Sequence, residues 1–346
     1  MTPIRPGAAS GAFLRSFRAL LLAGLALAGS TVPAAASGGN GDDDRPSDAN
    51  PVARARFYVQ PVSEARRQAD SWRRARPQDA ALMEWMAAQP TAHWVGDWSG
   101  DPRADVERVT SAAARAGATP VLVAYNIPQR DCGHYSSGGT RGGDAYRRWI
   151  RGFAQGIGRR RAVVILEPDA LMVTECLTPA RREERMALLR DAVEVLKGAG
   201  AAVYLDAGSA RWGRPEEMAS RLQQAGIARA DGFALNVSNF IATPVNVSYG
   251  ERISQRVGGK HFVIDTSRNG AGTATGREWC NAANQALGAA PTARTGHRLV
   301  DAFLWVKRPG ESDGTCNGGP SAGRWWADYA LGLAKRAHAM GAVAMR

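Results

Sequence analysis

Carboxylates recur in this sequence at the ends of apolar runs. Val163-Val164-Ile165-Leu166 runs straight into Glu167-Pro168-Asp169. Four apolar residues in a row, most of them β-branched, read as a strand buried on both faces. Pro168 has no N–H to give to a sheet ladder, so the strand ends there and Asp169 stands at its carboxyl end. Other strand-like runs end the same way. Pro120–Ala124 leads into Tyr125-Asn-Ile-Pro-Gln-Arg130-Asp131, Ala202–Leu205 into Asp206, and Gly232–Leu235 into Asn236 and Asn239. His261–Ile264 leads into Asp265, and Phe303–Val306 into Lys307, Glu311 and Asp313. One polar strand end reflects the preference of Asp and Asn for turns; six in one chain exceed that preference. Trp94, Trp98, Trp212, Trp279 and Trp305 stand at or just beyond the same ends. Any one of them could fill a core. Indole faces also stack on the apolar faces of sugar rings, and a rim of carboxylates and tryptophans suggests a carbohydrate site.

Positioning these residues requires the strands to end on one side. From Phe57 onward strand and helix patterns alternate. Candidate strands are Phe57–Val59, His93–Val95, Pro120–Ala124, Ala162–Leu166, Ala202–Asp206, Gly232–Leu235, His261–Asp265 and Ala302–Val306. Helical patterns lie between them, among them Asp105–Ala116, Ala145–Gly156, Pro179–Lys197 and Pro215–Gln224, with Gly117 and Gly198 as caps. Repeated strand–helix units imply an α/β fold with a parallel sheet. About eight strands in one domain favour a closed or nearly closed β/α barrel, whose chemistry sits at the carboxyl ends of the strands.

The remaining composition narrows the function. Residues 1–36 read as a signal peptide: Arg5, Arg15 and Arg18 give a basic start, and Ala19–Gly29 is an apolar core too short to span a bilayer comfortably. Ala34-Ala35-Ala36 offers small residues for cleavage. Residues 37–53 are Gly, Asp, Asn, Ser and Pro, a disordered linker. Residues 54–346 then form one domain of a secreted, extracellular protein without stable membrane association, expected to be a monomer. The net charge of +12 does not indicate nucleic acid, because only four of 44 basic residues are lysines and the arginines scatter along predicted helices. No Gly-rich phosphate loop precedes a helix, so no nucleotide cofactor is expected. No Cys-x-x-Cys or His pair stands at ligand spacing, so no metal is expected. His93 and His134 fall near strand ends without a Gly-x-Ser-x-Gly elbow. Cys132, Cys176, Cys280 and Cys316 are an even count in an exported chain, which argues for two disulfides. Three pairings are open. The sequential one closes two separate loops, each stabilising by roughly 4 kcal/mol through loop-closure entropy.

Several long motifs occur in a fixed order. They are Val123-Ala-Tyr-Asn-Ile-Pro-Gln-Arg-Asp-Cys-Gly-His-Tyr-Ser-Ser-Gly-Gly139, Ile165-Leu-Glu-Pro-Asp-Ala-Leu171, Asp206-Ala-Gly208 and Asn236-Val-Ser-Asn239. Ile264-Asp-Thr-Ser-Arg-Asn-Gly270, Glu278-Trp-Cys280, Phe303-Leu-Trp-Val-Lys307 and Pro309-Gly-Glu-Ser-Asp-Gly314 complete the set. This set resembles glycoside hydrolase family 6, the inverting cellulases, from about Phe57 to near the C-terminus. The resemblance implies a distorted, incompletely closed β/α barrel of seven to eight mostly parallel strands. It implies that Asp169 is the acid protonating the leaving oxygen, with a raised pKa, and that Asp131 is the carboxylate beside it. Cys132 would pin that loop by a disulfide. Asp313 would be the base acting on the attacking water, and Asp206 and Asp265 would order the site. Trp94, Trp212, Trp279 and Trp305 would line sugar subsites, with Tyr125 beneath the distorted sugar. Lys307, Glu311 and Asn239 would bond sugar hydroxyls, and Arg130 and Ser137 would belong to a mobile loop near the water. Ser209 departs from the family, where many members have His, and so does the rim segment Trp94-Val-Gly-Asp-Trp98.

The function implied is a secreted endo-β-1,4-glucanase acting on a β-1,4-glucan with inversion. The alternatives are a chain-end cellobiohydrolase and a non-catalytic glycan-binding barrel, which would have no need of the Asp131 and Asp169 pair. Connections look short. Asp131 reaches the helix near Ala145 in about fourteen residues, and Asn281 to Val300 spans about twenty with Pro291–Gly296 as clear loop. Pro309–Gly319 is expected to be compact and tied by Cys280–Cys316. Covering loops of 12–15 residues or more have little material here, so an open cleft is expected.

Overall fold

The computed structural model describes residues 50–272 and 279–343. The expected signal peptide, most of the expected linker, and Glu278 lie outside the described residues. The last four linker residues do not behave as linker. Val52 is 3% exposed against the core, and Asn50 Nδ2 donates to the Asp301 carbonyl at 2.9 Å. One apolar side chain at position 52 is enough to dock this polar stretch.

Seven strands form one sheet: β1 His93–Val95, β2 Val121–Ala124, β3 Val163–Leu166, β4 Ala202–Asp206, β5 Gly232–Leu235, β6 His261–Asp265 and β7 Val300–Leu304. Their spatial order is their chain order, and every neighbouring pair is parallel. The helices are α1 Glu64–Trp72, α2 Pro77–Ala87, α3 Pro102–Arg115, α4 Gly143–Ile157, α5 Pro179–Gly198, α6 Pro215–Gln224, α7 Thr243–Ser254 and α8 Ala327–Ala339. None among the described residues is long and apolar enough to cross a membrane.

The apolar runs read as two-sided strands because they are. Leu122, Val164, Leu166, Val203 and Leu205 pack outward under the helices, while Val121, Val123, Val163, Ile165 and Tyr204 fill the interior. This is the two-residue alternation of a strand with both faces covered. Helix α5 shows the same economy: the Thr178 side chain accepts from Arg181 N, Pro179 occupies the first turn, and Leu189, Ala192, Val193 and Leu196 are buried. Each buried Leu or Val of this kind stabilises by about 1.5–3 kcal/mol.

Three expectations change. Phe57–Val59 is not a strand; Phe57 alone of the three bridges, to Thr119, so the described residues hold seven strands. The last strand lies two residues earlier than expected, at Val300–Leu304, with a register shift between Phe262 and Val263. Residues 281–299 hold neither helix nor strand. They are fastened instead by individual bonds, such as Thr266 Oγ1 and Trp305 Nε1 to the Ala289 carbonyl at 2.7 and 3.0 Å. β1 and β7 do not pair as strands. Their ends are joined by Ala92 N to the Trp305 carbonyl at 3.0 Å and Trp94 Nε1 to the Val306 carbonyl at 2.8 Å. The sheet therefore curls into an incompletely closed barrel. Both disulfides take the sequential pairing, Cys132–Cys176 and Cys280–Cys316, with Cα–Cα distances of 5.5 and 6.2 Å.

At the amino ends of the strands, Tyr204 Oη donates to Asp301 Oδ2 at 2.7 Å, and His261 Nδ1 lies 2.8 Å from Asp301 Oδ1. The triad ties β4, β6 and β7 across the barrel floor. Tyr204→Phe leaves one oxygen of a buried carboxylate unsatisfied and should cost about 1–3 kcal/mol. Urea unfolding monitored by circular dichroism measures this; an unchanged midpoint would show that the floor does not need the bond.

Candidate active site

All seven strands point the same way, so their carboxyl ends share one rim, and the predicted carboxylates gather there. Glu167 and Asp169 adopt φ of 50° and 70°, a left-handed conformation costly for side chains that carry a Cβ. The turn is held from β4: Asp206 Oδ2 accepts Asp169 N at 2.9 Å and Gly208 N at 3.2 Å. The Tyr125 hydroxyl bonds the Asp169 side chain. Burial holds the Asp169 carboxyl well above the usual carboxylate range, and the negative charges of Asp206 and Asp131 push it further. Burial also raises Asp206, to about 7, against the two backbone N–H groups that favour its charge. Those N–H groups favour the charged form of Asp206, so sharing of a proton within the pair is biased toward Asp169.

Asp131 lies on the loop after β2. Burial raises its pKa, opposed by Ser136 N, which donates to its Oδ2 at 2.8 Å. The loop closes on itself by a bridge between Arg130 and Gly138. Arg130 is buried. Its Nε donates to the Ser136 carbonyl at 2.8 Å, and its guanidinium lies 4.5 Å over the Tyr125 ring and 5.1 Å from that of Trp98. Asp97 Oδ1 lies 3.3 Å from Arg130 Nη1, and Asp97 Oδ2 accepts Gly139 N at 3.2 Å. Gly139 is required, because a Cβ there would stand 1.9 Å from the Ile127 carbonyl oxygen. Ser137 is exposed at the loop tip.

Asp313 has the opposite electrostatics. Arg268 Nη1 donates to its Oδ2 at 2.7 Å, Asn281 N to the same oxygen at 2.9 Å, and Lys307 Nζ lies 3.2 Å from its Oδ1. Burial alone would raise its pKa; the two cations outweigh burial and lower it. Asp313 is therefore driven toward the charged form and Asp169 toward the neutral one. Arg268 also donates to the Ser238 carbonyl. Asp265 is buried under four backbone donors: Ser238 N, Lys307 N, Ser267 N and Val306 N at 3.0, 3.0, 2.9 and 3.3 Å. It fastens the loops after β5, β6 and β7 together. Glu311 pairs with Arg308 Nε at 2.9 Å, and burial raises its pKa. Its pocket is shared with Gln60, Glu64, Gln89 and Trp325.

The aromatic side chains divide. Trp212 and Trp279 are 40% and 45% exposed, Trp98 is 57% exposed, and Trp94 is half-buried, edge-on to Tyr125 at 5.2 Å. The 48% exposed Tyr135 has its ring 5.9 Å from that of Trp279. It also covers Gly314, where a Cβ would come within 2.5 Å of the tyrosine ring. The loop after β2 thus touches the segments on either side of the Cys280–Cys316 disulfide.

The sequence profile described as glycosyl hydrolases family 6 matches residues 52–337. The chain belongs to that family. It is 47% identical over 284 residues to endoglucanase A of Cellulomonas fimi, covering 81% of this chain and 61% of that protein. It is 42% identical over 287 residues to endoglucanase 1 of Streptomyces halstedii, covering 79% and 87%. Among solved structures it is similar to the endoglucanase Cel6 from Mycobacterium tuberculosis in complex with methyl-cellobiosyl-4-deoxy-4-thio-β-D-cellobioside. That likeness has a TM-score of 0.79 and 49% identity, over 84% of this chain and all of that one. The chain thus spans about three-fifths of the length of the Cellulomonas relative.

In this family 6 chain the rim brings together Asp131, Asp169, Asp206 and Tyr125 on one side, and Asp265, Asp313 and Lys307 on the other. Trp305 does not join them. It is 1% exposed and packs outside the barrel against Trp85 and α8, because strand alternation turns Val306 inward and Trp305 outward. Ser209 is buried, its carbonyl accepting Trp212 N at 3.0 Å, and Asn239 Nδ2 is spent on the Val237 carbonyl at 3.0 Å. Sequence reasoning missed Asp97, Tyr135 and the charge on Asp206 that acts on Asp169. Asp206 was legible as a strand-end carboxylate; Tyr135 lies inside the family motif Val123–Gly139 without any periodic or chemical signal of its own.

The electrostatics give a measurable order. Removing a nearby negative charge lowers the pKa of Asp169, so Asp206→Asn and Asp131→Asn should both move its titration to lower pH, Asp206→Asn the more. Carboxyl resonances of ¹³C-aspartate-labelled protein report it. An Asp169 titration indifferent to both substitutions would remove the proton-sharing assignment.

Proposed function

We propose that the protein is a secreted endo-β-1,4-glucanase that hydrolyses internal bonds of cellulose-like glucans with inversion at the anomeric carbon. The observation that carries this reading is the Asp169 carboxyl. Burial and the charges of Asp206 and Asp131 favour its protonated form at this strand end, and Tyr125 is bonded to it. A protonated carboxyl at neutral pH is what departure of a sugar oxygen needs. Asp169 gives its proton to the glycosidic oxygen as the bond breaks. Water attacks from the opposite face, and its proton passes toward Asp313, which Arg268 and Lys307 keep ionised. A carboxylate so stabilised is a weak base, so it takes the proton late, once the attacking water has become acidic. The exposed indoles of Trp212 and Trp279 serve as sugar platforms on either side of the acid, with Trp94 beside Tyr125. Residues 1–36 act as the export signal, residues 37–49 as the linker, and the protein works as an extracellular monomer.

The relatives named endoglucanase support internal cleavage. A chain-end cellobiohydrolase is the second reading, favoured by the Tyr135 contact with Trp279 and Gly314, which joins two loop systems over the rim. That contact is a single pair of exposed rings, which substrate can part.

Two experiments test the proposal. Asp169→Asn should lower kcat on unactivated glucan by about 10²–10⁴-fold while oligosaccharide binding by calorimetry is retained, and activated aryl cellobiosides should suffer less. Wild-type turnover by this variant would exclude Asp169 as the acid. For the mode of attack, carboxymethyl cellulose should lose viscosity early with few new reducing ends. Steady cellobiose release at nearly constant viscosity would replace the endo reading with the chain-end one.

A further inference from the structure

Two buried ionisable side chains outside the acid–base set grip one short piece of backbone. The segment Asn126–Gln129 leaves β2 and leads into Asp131. At its start, Asn126 N donates to both carboxylate oxygens of Glu167 at 3.0 Å, and Ile127 N donates to Oε2 at 3.0 Å. At its end, Arg185 Nη2 donates to the Pro128 and Gln129 carbonyls at 2.9 and 3.0 Å. The other terminal nitrogen of the same guanidinium, Nη1, donates to the Ala170 and Val173 carbonyls at 3.2 and 2.8 Å. One side chain from α5 therefore holds two carbonyls of the Asp131 loop and two of the Asp169 loop. Arg185 is 3% exposed and Glu167 1%. Among the described residues no carboxylate lies within ion-pair distance of Arg185.

Burying a guanidinium and a carboxyl group for packing alone is unfavourable, since apolar side chains of the same volume fill such space at lower cost. The backbone they hold explains the arrangement. Gln129, Asp131 and Cys132 on one loop and Glu167 and Asp169 on the other all have φ between 47° and 70°. Non-glycine residues stay in that region only where the surroundings over-determine it. The Cys132–Cys176 disulfide joins the same two loops farther out, beyond Asp131. Arg185 joins them at the root, and its planar fork satisfies four carbonyls that a single ammonium could not reach together.

We infer that Glu167 and Arg185 are positioning residues that form a clamp holding the Asp131 loop in register with Asp169. The inference rests on the reading of Asp169 as the acid. Glu167 fixes where the segment leaves β2, and Arg185 fixes where it turns toward Asp131. Neither group needs to touch substrate. When the clamp loosens, Asp131 retreats from Asp169 while the rest of the cleft stays in place.

The test uses Arg185→Lys and Glu167→Gln in the full chain, with Arg185→Met as a harsher variant. Arg185→Lys keeps the charge and part of the bonding, and Glu167→Gln is nearly isosteric, so folding is retained even where Arg185→Met fails. Arg185→Lys should lower kcat on carboxymethyl cellulose by up to about 100-fold with KM changed no more than about twofold. The basic limb of its pH profile should move to lower pH, toward that of Asp131→Asn, a change that lost stability alone would not produce. Added to Asp131→Asn, it should lower kcat by no more than about twofold further, because both act through one group. Amide hydrogen exchange across residues 126–133 should rise in both conservative variants. Wild-type kcat, pH profile and exchange in both would overturn the clamp. A wild-type enzyme inactive on every glucan would sink the functional proposal instead, and the exchange measurement would still decide the clamp.

Discussion

A carboxyl group moved out of water resists ionising, and a second carboxylate beside it adds repulsion to that resistance. Asp169 and Asp206 stand in this relation at the ends of adjacent parallel strands, joined by Asp169 N to Asp206 Oδ2. Backbone donors bias where a shared proton resides: Asp206 receives two N–H groups, which favour its charge, while the Tyr125 hydroxyl bonds Asp169. Asp169 makes this bond from a left-handed backbone conformation, φ 70°.

The opposite side of the rim solves the reverse problem. Asp313 is buried, yet Arg268 and Lys307 favour its charged form. Lys307 reaches it because Asp265, under four backbone donors, fixes the turn that begins at Val306 and Lys307. Two carboxylates in one cleft are driven to different protonation states by their neighbours. This separation of roles is the arrangement that acid-assisted hydrolysis requires.

Rigidity is distributed accordingly. The sheet and its buried strand ends hold Asp169, Asp206 and Asp265, whereas Asp131 and Ser137 ride on a loop held by Arg130, a disulfide and the carbonyl bonds of Arg185. The exposed Tyr135 lies on that loop, its ring against Trp279 of the segment beside Cys280. The loop is thus anchored at its root and carries an exposed ring beyond it.

The sequence by itself determined the strands and the identity of their last residues. Unbroken apolar runs such as Val163–Leu166 have one stable environment, a sheet covered on both faces, and their polar ends must then share a rim. The family motifs were legible for the same reason, being local and ordered along the chain, whereas the cysteine count left three pairings open and the tertiary structure chose the sequential one. What depended on three dimensions was read less well. Seven strands rather than eight, and the outward face of Trp305, turn on how the sheet curls and where β7 begins, which a bulge after Phe262 shifts without a local signal. Asp206 and Asp131 are both aspartates near strand ends in the sequence; only tertiary contact puts the Asp169 amide on Asp206. Arg185 is one of many arginines on a helix. Nothing in its neighbours along the chain distinguishes a buried guanidinium from a solvated one, because the four carbonyls that satisfy it come from residues 12 to 57 positions away.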